Sequence, residues 1–118
     1  MRVLTTDAAD VDAFAIEVAA AAGEADAGFA LVFFSRALVT ARDLSDALAR
    51  HAPGLRYAGC STAGEITPGG LAEGQVVAIL FPSALFAVAT TMIRGLSASG
   101  MDAIAGEVER LKRRLAAE

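Results

Sequence analysis

The sequence predicts an α/β fold: a mixed sheet with a parallel βαβ core and an antiparallel hairpin, with helices packed on the sheet. Three observations predict it. Residues 29–34 are continuously apolar, as in a strand covered on both faces. A capped amphipathic helix follows, and after it a second short extended segment, which makes the two strands parallel through a right-handed crossover. Two β-rich runs, 75–81 and 85–93, are separated only by Pro82, Ser83 and Ala84, too short a link for a crossover, so they are expected to pair antiparallel.

Taken in order, Asp7 is placed to cap a first helix whose apolar residues Val11, Phe14, Ala15, Val18 and Ala22 fall on one face, with Gly23 near its stop. The strand at 29–34 comes next and is expected to be central. Thr40 and Asp43 form a capping-box-like start to a second helix, which turns Leu44, Ala47 and Leu48 inward and ends before Pro53 and Gly54. Residues 55–59 supply the parallel partner strand. From about Ser99 to Ala117, Met101, Ile104, Val108, Leu111 and Leu115 share one face of a closing amphipathic helix.

Composition narrows the function classes. The length of 118 residues suits a single domain over 1–118, and 55% hydrophobic against 20% charged residues excludes the signature of disorder. A net charge of −4, with basic residues scattered or confined to one helix, argues against a nucleic-acid partner. The N-terminus has no signal-peptide core, and no run reaches the roughly 20 apolar residues that span a bilayer, so a cytoplasmic protein with no membrane partner is expected. Cys60 is the only cysteine and His51 the only histidine, which leaves no internal disulfide and no four-ligand zinc site of protein groups alone.

The most informative stretch runs from Gly59 to Gly70, rich in glycine and small polar residues. In open α/β sheets ligands gather beyond the carboxyl ends of parallel strands. This segment leaves one such end, and Ser35 and Arg36 leave its neighbour. Candidate ligand-binding residues are therefore Ser35, Arg36, Cys60, Ser61, Thr62, Gly64 and Glu65. Arg36 can pair with a carboxylate and Glu65 with an ammonium, while glycine lets backbone amides approach, which together suit a zwitterionic metabolite such as an amino acid.

Catalysis is weighed and set aside. Cys60 has no histidine nearby in sequence to activate it, so a small buried or pocket-lining thiol is the stronger reading than a nucleophile. The segment around Ser61 imitates a nucleophile elbow, yet no histidine follows it to complete a triad. Glu65 alone defines no reaction class. His51, a conceivable haem ligand, sits at a helix end where it can meet the last carbonyls and the helix dipole. The cations Arg110, Lys112, Arg113 and Arg114 suit the last turns of a helix.

Three motifs, ALVFFS at 30–35, GCSTAGEI at 59–66 and EGQVVA at 73–78, occur here in that order. Through them the chain resembles the N-terminal part of the FIST sensory domain over roughly residues 29–93. The resemblance implies a bacterial signal-input domain that binds a small ligand such as an amino acid, with some members associated with haem and nitric-oxide sensing; a non-enzymatic domain with no cofactor is expected. It also implies a partner: a signalling output protein or a missing C-terminal domain, since family members are longer and this chain looks like a minimal or truncated version. The alternative to ligand sensing is an interaction or assembly module, with a homo-oligomer as one form, resting on apolar sheet edges and the amphipathic final helix.

Overall fold

The computed structural model describes residues 1–62, 65–67, 70–72, 74–95 and 100–117, with 65–67 and 70–72 described as backbone. The chain forms two compact units, Met1–Phe86 and Ala87–Glu118.

In the first unit β1 (Arg2–Thr6), α1 (Val11–Ala25), β2 (Ala27–Phe34), α2 (Ala41–His51), β3 (Arg56–Ser61), β4 (Glu65–Thr67), β5 (Gly70–Ala72) and β6 (Val76–Pro82) follow one another. Four strands make one sheet in the order β1-β6-β2-β3, and β4 pairs with β5 in a separate two-stranded ribbon. β2 and β3 are parallel, with Val32 opposite Gly59 and Phe34 opposite Ser61, whereas β6 is antiparallel to both β1 and β2. The fold is therefore α/β with a mixed sheet, and β2 is an inner strand as its unbroken apolar run requires.

Strand alternation sends Ala30, Val32 and Phe34 of β2, and Val76, Ala78 and Leu80 of β6, to one face of the sheet. There they join Phe14 and Val18 of α1 and Leu44 and Leu48 of α2 in a single core. On the other face Phe81 stacks at an angle between Phe29 and Phe86, with ring centroids 6.1 and 5.2 Å away. Both layers rest on the apolar content of β2 and β6.

The structure corrects four local expectations. Arg2–Thr6 is a strand, so the first helix starts later: Asp10, not Asp7, caps it, its Oδ1 accepting the Ala13 amide at 3.0 Å. That helix runs through Gly23 and closes at Asp26 (φ 51°), whose left-handed backbone an aspartate tolerates and whose amide reaches the carbonyls of Ala22 and Gly23. Residues 85–93 do not pair with β6, because β1 and β2 already occupy its two edges; the described residues 86–95 carry no strand. Finally β3 extends to Ser61, so Cys60 and Ser61 belong to the strand end and not to a loop.

α2 matches expectation closely. Thr40 Oγ1 accepts the Asp43 amide at 3.1 Å, and Leu44, Ala47 and Leu48 are buried. In the second unit α3 (Met101–Ala116) has no buried residue, and Met101 stays 79% exposed, so its apolar stripe is not a core face. Within that unit Arg114 Nη2 donates to the Thr90 carbonyl at 2.8 Å, and Arg110 pairs with Glu107. No helix among the described residues is long and apolar enough to cross a membrane.

α1 and α2 are joined at their surface by one carboxylate. Arg50 Nη2 donates to Asp12 Oδ1 at 2.8 Å, and His51 Nε2 lies 2.9 Å from the same oxygen. The hydrogen bond from Arg50, then that from His51, holds the Asp12 carboxyl below the ordinary carboxylate range. A carboxylate with a depressed folded pKa contributes stability above its unfolded pKa and loses that contribution as pH falls through the folded value. Because Asp12 is exposed, the effect is small and salt-sensitive. Asp12→Asn should accordingly lower the urea midpoint at neutral pH, and the gap to the parent protein should close as the solution is acidified below the carboxylate range; a gap independent of pH contradicts the assignment.

Candidate functional site

Because β2 and β3 run parallel, they end at the same edge of the sheet, and α2, which follows β2, begins there. A cleft of about 740 Å³ opens at that edge, lined by Phe34, Arg36, Cys60 and Ser61 together with the α2 start, Val39, Thr40 and Ala41. The crevice expected beyond the carboxyl ends of the parallel strands is therefore present.

Two hydrogen bonds fix its rim. The Thr62 amide donates to the Phe34 carbonyl at 2.9 Å, extending the β2–β3 ladder past the last strand residue. The Ser35 amide donates to the Gln75 carbonyl at 3.0 Å, tying the β2 exit to the chain that enters β6. Ser35 is buried, its Oγ accepts the Ala37 amide at 3.3 Å, and its carbonyl accepts the amides of Leu38 and Val39 at 3.1 Å. The turn so formed carries Arg36 out to the cleft, where its side chain is exposed.

Of the seven candidate residues, Arg36, Cys60 and Ser61 are brought together on the cleft wall. Ser35 shapes the turn beside them, and Thr62 secures the strand ends through its backbone. Glu65 begins β4 opposite Ala72, with its backbone alone described, and Gly64 lies outside the described residues. Cys60 is a free, exposed thiol.

Sequence reasoning missed the α2 side of the cleft, namely Val39, Thr40 and Ala41. The signal was available: a βαβ helix must begin near the edge where its first strand leaves, so the capping residue Thr40 already marked that edge. The positive end of the α2 dipole and the Arg36 guanidinium make the cleft favourable to a negative group.

Gly59 also went unrecognised as an individual site residue. Alternation puts it between Tyr57 and Ser61 on the face that α2 covers, and a Cβ there would overlap the Val32 carbonyl oxygen. The absence of a side chain is thus required for the β2–β3 approach and leaves a notch in the cleft wall.

A haem with an imidazole ligand does not fit. His51 is held at Asp12, at the end of α2 opposite the cleft, about 15 Å along the helix from Ala41. Among the described residues no group of three histidine, cysteine, aspartate or glutamate side chains could hold a metal ion.

Comparison with known proteins gives one match. The family model described as the FIST N domain aligns with residues 28–117, which takes in β2, the cleft and all that follows it up to the end of α3. No curated protein and no solved structure matches the chain.

Substitution of Gly59 by alanine should cost about 1–3 kcal/mol, the usual penalty for forcing an extra carbon into a packed contact. Gly54→Ala, where a Cβ meets nothing within 4 Å, is the control and should stay within about 0.5 kcal/mol of the parent. Equal urea midpoints for the two variants contradict the close approach.

Proposed function

This chain belongs to the FIST N domain family of sensory domains, and from that premise we propose that it detects a small carboxylate-bearing metabolite, such as an amino acid, in the cleft beyond β2 and β3. The observation that carries the reading is the convergence of Arg36, the first turn of α2 and the Cys60–Ser61 strand end on one hollow.

Each part has a chemical role. Among the described residues Arg36 has no ion-pair partner, so its planar fork is available for a bidentate carboxylate contact. The α2 amides add dipolar attraction for the same charge. Ser61 can donate or accept, and Cys60 borders the wall beside it. Glu65, which follows Ser61 by four residues, is assigned the ligand's ammonium by charge alone.

The role is binding without turnover. The family is one of sensory domains and not of enzymes, and among the described residues no base is paired with the cleft's thiol or hydroxyl in the way nucleophilic catalysis requires. Signal output then passes to a second protein or domain, with the free Cys60 thiol compatible with a reducing cytoplasm.

A thermal-shift screen of amino acids and small carboxylates tests the reading. A ligand at a hundredfold its Kd stabilises the folded state by about 2.7 kcal/mol, a readily measured rise in Tm. Arg36→Ala should abolish that rise while leaving the unliganded Tm within about a degree, because the side chain is exposed. No stabilising carboxylate, or a rise that survives Arg36→Ala, overturns it.

A further inference from the structure

A second cavity, of about 160 Å³, lies under the cleft between α2 and the sheet. It is walled by Val32, Leu44, Leu48 and Tyr57, and it shares Phe34, Ala41 and Gly59 with the cleft above. The geometry points to this cavity as an apolar subsite that receives the side chain of the ligand whose carboxylate is held at Arg36, an inference that rests on the cleft being a ligand site.

Placement follows from two periodicities. On α2, Ala41, Leu44, Ser45 and Leu48 recur at helical spacing and so form one stripe. On the sheet, Val32 and Phe34 face that stripe from β2, and Tyr57 and Gly59 face it from β3. Where most strand positions would send a side chain into the gap, Gly59 sends none. The notch at Gly59 is common to both cavities, so the upper and lower spaces meet there.

Chemistry separates the two spaces. Leu48 is 1% exposed and Leu44 4%, so the lower walls are largely hydrocarbon. The lining hydroxyls there, of Ser45 and Tyr57, hydrogen-bond to each other across 2.6 Å at an exposed position. A polar guest finds no side-chain partner among the lining residues beyond those two hydroxyls, whereas an apolar one gains burial against the leucines. The upper cleft carries the charge, through Arg36. The pair of cavities therefore fits an amphipathic molecule with a carboxylate at one end and a hydrocarbon group at the other.

Volume sets the size of that group. An apolar protein cavity of about 150 Å³ holds one benzene molecule. The subsite accordingly admits groups from isopropyl to phenyl and excludes an indole. Among α-amino acids this selects valine, leucine, methionine and phenylalanine over glycine, serine, aspartate and tryptophan.

Titration calorimetry of the whole chain with glycine, alanine, valine, leucine, phenylalanine, tryptophan, serine and aspartate tests the inference. Each buried methylene should tighten binding roughly fourfold, so leucine should exceed glycine by on the order of a hundredfold. Serine should gain nothing over alanine, and tryptophan should fall below phenylalanine. Two variants act on the subsite in opposite senses. Ser45→Leu, which fills it from the exposed side of α2, should erase the leucine advantage; Tyr57→Ala, which removes one of its walls, should raise tryptophan relative to leucine. A series in which affinity ignores the side chain but still depends on Arg36 overturns the subsite and leaves the cleft reading standing. Failure of every member to bind overturns both.

Discussion

The parallel pairing of β2 with β3, in the register that sets Val32 against Gly59, is the constraint on which the rest of the first unit depends. Parallel neighbours must end at the same edge of a sheet, and the helix that links them must start there. Three chain segments are thereby gathered at one point before any side chain is chosen. Gly59 permits the approach because it brings no Cβ against the Val32 carbonyl, and the Thr62 amide continues the ladder one step beyond the strands. A shift of one residue would send Tyr57 and Ser61 to the opposite face and remove the notch between them.

From that constraint the site acquires its two characters. Its upper part is polar because the strand ends and the start of α2 bring Ser61, Thr40 and backbone groups together there, and because the Ser35 turn projects Arg36 into solvent. Its lower part is apolar because it is an underfilled portion of the α2–sheet core, bounded by the same leucines that stabilise the helix. Leu44 and Leu48 line that hollow and also hold α2 to the sheet, so substitutions there confound folding with the proposed binding, whereas Arg36 and Ser45 are exposed and separate the two.

Much of this was legible in the sequence, and the rest was hidden for identifiable reasons. The central strand announced itself by six apolar residues in a row, and α2 by its Thr40 cap and its 44, 47, 48 stripe. The juxtaposition of Arg36 with Cys60 and Ser61 followed from connection rules alone. β1 was overlooked because an edge strand with one weakly apolar alternation, Arg2 to Thr6, carries little signal over so short a length. The hairpin after β6 failed because β-propensity in residues 85–93 says nothing about whether a partner edge is vacant, and β1 had taken it. The apolar stripe of α3 was correctly periodic, yet periodicity cannot report burial, and none of its side chains is buried. Tyr57 and Ser45 were invisible as a pair because their contact joins a helix to a strand twelve residues away.

The central claim is most directly tested by residue-resolved amide hydrogen exchange on the unliganded protein, read at Thr62. If the ends of β2 and β3 are locked side by side, the Thr62 amide donates to the Phe34 carbonyl and exchanges on the order of a hundredfold or more below its intrinsic rate. Exchange at the intrinsic rate, with β2 and β6 amides still protected, would show that the strand ends separate and that no shared cleft is built there.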